Sequence, residues 1–206
     1  LKDELVKIEG NRDEIEDRFY KTLEFGTAGL RGVLGAGTNR MNVFTVRQAT
    51  AGLAEYIKKT GHTERGVVIA YDSRHFSPEF ALEAAKVLCA NNIKVYLFES
   101  LRPTPELSFS VRHLHCIAGI VITASHNPAK YNGYKVYGED GGQMPLDAAN
   151  AVTEEIRKTD MLTGPSVMDE KEAVSKGLLT YIGEDVDREY LASVFARRVN
   201  PEAVAE

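Results

Sequence analysis

Residues 67–98 read VVIAYDSRHFSPEFALEAAKVLCANNIKVYLF. The run opens with five apolar residues (67–71), too short for a buried helix and typical of a strand covered on both faces. A polar break follows. Ser77 and Pro78 then stand where a helix N-cap and first helical position belong, ahead of a helical pattern to about residue 90. IKVYLF (93–98) is a second apolar run. Strand, helix and strand with short connections predict a right-handed crossover and parallel pairing.

The same grammar extends outward. Thr104 and Pro105 open TPELSFSVRHLH as a further helix, and IAGIVIT (117–123) is a third strand. On the N-terminal side, Asn11 with Glu14 three residues later predicts a helix carrying Ile15, Phe19 and Leu23 on one face and ending at Gly26. Thr45 with Gln48 predicts another N-terminus, and Gly61 the end of that helix. Between them lies GTAGLRGVLGAGTNRMN, with glycines at 26, 29, 32, 35 and 37. That density predicts a loop with unusual backbone angles or close approach to a ligand. Beyond residue 125, Asn132-Gly133 reads as a tight turn, YKVY (134–137) as a half-exposed strand, 146–159 as a helix and LLTYIG (178–183) as a short strand. A last helix, capped by Asp185 or Asp187, carries Val186, Tyr190, Leu191 and Val194. The predicted class is α/β, a three-layer α/β/α domain with a mainly parallel, mixed sheet.

Composition narrows the function. Of 206 residues, 43% are hydrophobic and 27% charged, ordinary for a globular chain, and the net charge of −5 gives nucleic acid no electrostatic footing. The N-terminus has no apolar signal core and no apolar run is long enough for a membrane span. Cys89 and Cys116 follow no metal-site spacing and read as reduced packing thiols, which fits a cytoplasmic location. The chain begins at Leu1, and its last helix has apolar residues with nothing following to cover them. Both features predict a piece of a longer protein.

The chemistry concentrates in GIVITASHNPAKYNGYK (119–135). In an open α/β sheet ligands sit beyond the carboxyl ends of parallel strands, and Ser125 lies just past one. A serine there can be a nucleophile or a phosphate carrier, His126 can exchange protons, and Lys135 can offer charge to an anion. Phosphoryl transfer uses such a set, since its catalysis is mostly positioning and charge neutralisation. A polar turn between two strands is the plain alternative.

TASHNP (123–128) with NGYK (132–135) resembles the phosphoserine loop of the α-D-phosphohexomutases. FGTAGLRG (25–32) is similar to that superfamily's N-terminal signature, and YDSR (71–74) to its next strand-end motif. FGTAGLRG and YKVYGEDGGQ resemble the bacterial phosphoglucomutases and related phosphopentomutases more than the phosphomannomutase branch. The resemblance implies that Ser125 passes a phosphoryl group to a sugar monophosphate and recovers one from the resulting bisphosphate, interconverting glucose 1-phosphate and glucose 6-phosphate. It implies glucose 1,6-bisphosphate as activator, and Mg²⁺ touching the phosphate on Ser125. It assigns His126 to proton exchange or phosphate contact and Lys135 to the reacting phosphate. Arg31 meets phosphate or forms a structural ion pair. Thr27 and Arg74 contact phosphate or simply fix loops, and Asn127 orders the loop backbone. The family's DGDxDR metal loop, its GExSG sugar-reading motif and its C-terminal phosphate segment are absent from this sequence. The expectation is therefore the first of four domains over residues 1–184, followed by the opening helix of the second over 185–206, and inactive when isolated. Partners would be the sugar phosphate and the remaining domains. The alternatives are a phosphomannomutase or phosphopentomutase, or a noncatalytic phosphosugar-binding module.

Overall fold

A computed structural model describes residues 1–27 and 29–200. In chain order the elements are α1 (Lys2–Lys7), α2 (Arg12–Phe19), β1 (Gly29–Val33), α3 (Val43–Thr60), β2 (Val67–Tyr71), α4 (Ser77–Ala90), β3 (Val95–Phe98) and α5 (Thr104–His113). They continue with β4 (Ala118–Ile122), β5 (Tyr131–Gly138), α6 (Leu146–Lys158), α7 (Glu170–Ser175), β6 (Leu179–Ile182) and α8 (Glu184–Phe195). The strands form one sheet in the order β1-β5-β4-β2-β3-β6. β4, β2, β3 and β6 run parallel, while β5 is antiparallel to both β4 and β1. The expected mixed, mainly parallel sheet is therefore present.

Alternation along β2 shows why helices cover both faces. Val67 and Ile69 join a large cluster with Leu53 and Ile57 of α3, Leu88 of α4 and Val152 of α6. Val68 and Ala70 join a second cluster with Leu107 and Val111 of α5 and Val186 of α8. Every residue of β2 and of β4 is buried, as expected for parallel strands sandwiched between helical layers. Cys89 and Cys116 are free and buried within these layers, and burial pushes both thiols up, Cys89 to about 11 and Cys116 to about 12.

Several local expectations are corrected by long-range contacts. α2 stops at Phe19, leaving Leu23 outside it, because the loop at Thr38 and Asn39 takes over the backbone groups: Asn39 N donates to the Arg18 carbonyl and Leu23 N to that of Thr38. α3 starts earlier than Thr45 predicts. Asn42 is its N-cap, and Thr45 closes a capping box back onto the Asn42 amide. Gly61 does end that helix, with φ 76°. Ser77 and Thr104 are not caps; Phe76 and Pro103 occupy those positions without side-chain cap bonds, and Ser77 Oγ instead donates to Asp72. Asn132-Gly133 is not a turn. Both residues lie inside β5, paired with Gly32 and Arg31 of β1, while YKVY alternates as expected, with Tyr134 and Val136 fully buried and Lys135 and Tyr137 half-buried. Residues Gly29–Val33 of the glycine-rich stretch are the edge strand β1 and not a loop, since glycine at 29 lets it run very close to the β5 backbone. Gly183 takes the N-cap position of α8, and neither Asp185 nor Asp187 caps it. Val186 is buried against α5 rather than left uncovered, whereas Leu191 and Val194 are exposed.

Candidate active site

The carboxyl ends of β4, β2, β3 and β6 lie side by side. Asp72 N donates to the Ile122 carbonyl and Arg102 N to that of Tyr71, stitching the loops after β2 and β3 to their neighbours. Ser125 stands at this rim. Thr123 N is tied to the Gly133 carbonyl of β5, and Thr123 Oγ1 accepts the Ser125 amide at 2.9 Å. The chain then turns sharply. Ser125 adopts φ 56°, a left-handed conformation that non-glycine residues seldom take. Such strain persists where the surroundings over-determine it, and it clusters at functional sites.

The rest of the loop supports that turn. Asn127 closes it by donating both its amide and its side-chain Nδ2 to the Ala124 carbonyl. The exposed Ser125 hydroxyl lies 3.3 Å from Nδ1 of His126, within reach for proton exchange. Arg74 lies against the loop backbone and donates to its carbonyls.

The expected site residues fall into two groups. Ser125, Arg74 and Asn127 line an open recess of about 370 Å³ with Asp72, Ser73, His75 and Ala129. Thr27, Arg31 and Lys135 line a separate cleft of about 610 Å³ with Lys21, Glu24 and Gln143. Arg31 belongs to β1, opposite Gly133 of β5, and not to a loop. Among the described residues the side chains of Arg31 and Lys135 have no ion-pair or hydrogen-bond partner, and Arg31 is exposed. Lys135 alternates with the buried Tyr134 and Val136 of β5, facing away from their cluster. Lys21, Arg31 and Lys135 give the larger cleft an anion-attracting character, offset by one acid, Glu24.

Asp72 is the site residue that sequence reasoning passed over. Its Oδ1 accepts from Arg74 N at 2.9 Å and from Ser77 Oγ at 2.8 Å. An acid immediately past the end of a parallel strand was the available signal. Asn132 was hidden by its turn-like context: it is fully buried, and its Nδ2 donates to the His75 carbonyl and to Ser77 Oγ, each at 3.0 Å. Among the described residues no cluster of three or more His, Cys, Asp or Glu side chains could hold a metal ion. Among the described residues lining the recess the one carboxylate is Asp72, already engaged by Ser77 and Arg74. The donor set here does not by itself fit Mg²⁺.

Comparison with known proteins agrees with this arrangement. The family model described as phosphoglucomutase/phosphomannomutase, alpha/beta/alpha domain I, matches residues 22–163. A phosphoglucomutase of Staphylococcus epidermidis is 44% identical over 177 residues, covering 84% of this chain and 32% of that protein. A phosphoglucomutase of Staphylococcus aureus is 47% identical over 159 residues, covering 76% and 29%. The chain thus spans about a third of the curated relatives it matches. Among solved structures, a phosphoglucomutase/phosphomannomutase family protein from Burkholderia thailandensis superposes with a TM-score of 0.64 at 23% identity, covering 84% of this chain and 35% of that one, a likeness of fold. With the match spanning β1 to α6 and including the Ser125 loop, this chain belongs to the phosphoglucomutase/phosphomannomutase family, as its α/β/α domain I.

Proposed function

We propose that this chain is the phosphoryl-carrying domain of a phosphoglucomutase, with Ser125 as the carrier. The observation that supports this reading best is the Ser125 geometry: an exposed hydroxyl at the carboxyl rim of a parallel sheet, in a left-handed turn, 3.3 Å from an imidazole nitrogen. In the transfer, the bond between phosphorus and Ser125 Oγ breaks as a bond forms from phosphorus to a sugar hydroxyl oxygen. The hydroxyl loses its proton, and Oγ gains one, for which His126 is the adjacent donor. The sugar bisphosphate then returns its other phosphoryl group to Oγ by the reverse step. Arg31 and Lys135, in the neighbouring cleft, are proposed to hold the phosphate of the sugar that is not being transferred or to approach the reacting one. Thr27 lines the same cleft.

Mg²⁺ would supply charge neutralisation at the phosphate on Ser125. Its remaining ligands are proposed to come from residues outside those described. We further propose residues 1–184 as domain I and the segment from 185 as the opening of a second domain. Val186 and Tyr190 hold the start of α8 on α5, with Tyr190 5.6 Å from Phe109, while Leu191, Val194 and Phe195 are exposed and available to a further domain. No helix among the described residues is long and apolar enough to cross a membrane; a cytoplasmic location is proposed from the two free, buried cysteines. The chain by itself should show no mutase turnover, because among the described residues the Ser125 recess and the Lys135 cleft are separate and open.

The test is intact mass and site mapping of the full-length protein after exposure to glucose 1,6-bisphosphate. One added phosphate on Ser125, absent from a folded Ser125→Ala variant that has lost turnover, is the expected result. Near-wild-type turnover in that variant would sink the assignment.

A further inference from the structure

Arg74 was expected either to contact phosphate or to fix a loop, and its hydrogen bonds decide between the two. Its side chain is 14% exposed. Nη1 donates to the carbonyls of Pro128 at 3.1 Å and Tyr131 at 3.0 Å. Nη2 donates to those of Ser125 at 2.8 Å and Asn127 at 2.6 Å. Nε lies 3.5 Å from Asp72 Oδ2. A guanidinium has five N–H donors, and here four go to loop carbonyls while the fifth faces a carboxylate. None remains for a phosphate oxygen.

The carboxylate end of this arrangement is itself anchored. Asp72 accepts from Ser77 Oγ, and Ser77 Oγ accepts from Asn132 Nδ2 at the start of β5. The Ser125 loop is thus tied through one side chain to β2, α4 and β5. Four carbonyl dipoles converge on Arg74, and without a cation they would repel one another and lose their partners. The left-handed Ser125 lies inside this clamp.

We propose that Arg74 is a positioning residue for phosphoryl transfer: backed by Asp72, it clamps the carbonyls of Ser125, Asn127, Pro128 and Tyr131 and holds the Ser125 hydroxyl in its left-handed geometry without touching phosphate. This rests on Ser125 being the phosphoryl carrier. Only the planar fork of arginine spans four carbonyls; a lysine ammonium has three donors from one point.

The experiment uses the full-length enzyme with Arg74→Ala, Arg74→Lys and Ser125→Ala. Arg74→Ala should lower kcat by on the order of a hundredfold, the scale for a misplaced reacting group, with KM for glucose 1-phosphate little changed. Hydrogen exchange across residues 124–131 should accelerate. Millimolar guanidinium ion, and not ammonium, should restore part of kcat. Arg74→Lys retains charge and stem; it should fold where the alanine variant does not, and still lose about tenfold or more in kcat. A raised KM with unchanged kcat would mark a phosphate ligand and overturn the proposal. So would a loosened loop with undiminished kcat while Ser125→Ala is inactive, an outcome that leaves the Ser125 reading standing. Absence of phosphate on wild-type Ser125 would instead overturn that reading and this one with it.

Discussion

Glu106 should make this protein less stable as pH rises from acid to neutral, and Glu106→Gln should abolish the effect. Arg102 forms a two-pronged ion pair with Asp187 of α8, at 2.7 and 2.6 Å. Glu106 sits beside them on α5, 4% exposed, with Oε1 lacking a hydrogen-bond partner and 3.9 Å from Arg102 Nε. Burial, and then the neighbouring Asp187 carboxylate, push the Glu106 carboxyl up from 4.5 to about 7, against the pull of Arg102. Asp187 is held below the usual carboxylate range, chiefly by its hydrogen bonds to Arg102. Because Glu106 binds its proton more tightly when folded, its contribution is fully present below about pH 4.5 and is lost as pH rises through about 7. At 1.36 kcal/mol per pH unit the interval sets an upper bound on the order of 3 kcal/mol, and relaxation of the buried site once it is charged leaves about 1–2 kcal/mol. Urea unfolding at steps from pH about 4.5 to about 8 is the assay. The Asp187 contribution is lost only at lower pH, outside that range. Wild type and Glu106→Gln should match at the acid end, and the variant should be about 1–2 kcal/mol more stable at the alkaline end. Parallel stability curves for the two proteins would refute the reasoning.

Other perturbations probe other parts of the molecule. Asn42→Ala removes the α3 cap and the two side-chain bonds from Nδ2 to the Gly35 and Gly37 carbonyls, so denaturant unfolding should show a loss of about 2–3 kcal/mol, and a loss below about 0.5 would contradict it. In Gly133→Ala the new methyl would meet the Thr123 carbonyl oxygen at 2.5 Å and that of Leu30 at 3.0 Å. Both are backbone atoms, so about 3 kcal/mol of destabilisation is expected, with β1 and β5 amides losing exchange protection first; unaltered protection there would be the contrary result. Phosphorylating Ser125 adds about −1.5 to −2 charge beside His126, with Lys135 near in sequence, and should slow hydrogen exchange across 124–135. Equal or faster exchange in the phosphorylated protein would count against it.

Hydrophobic period and helix-boundary residues are local properties, and they sufficed for the parallel β2-α4-β3-α5-β4 core. They also place Ser125 past a strand end, because alternation and the polar break at residues 123–128 lie within a few residues of each other. What local pattern does not carry is which partner a polar group finds across the sheet. Arg74 meets carbonyls more than fifty residues away, so its five donors are accounted for only once β2 and β4 are neighbours. Asn132-Gly133 has the letters of a turn. Pairing with β1 on one side, and the Thr123 amide donating to the Gly133 carbonyl on the other, made it strand, since there its backbone groups find partners. The same pairing turned GLRGV from loop into edge strand and put Lys135 and Arg31 in a different cleft from Ser125. Asp187 resembles a cap in sequence, but a guanidinium from the loop after β3 outcompetes the helix amides for its carboxylate. The chain's own order of residues thus determined the layers and the reactive loop. Tertiary structure decided the strand edges, the division of the site and the identity of the clamp, because those depend on hydrogen bonds between groups far apart in sequence.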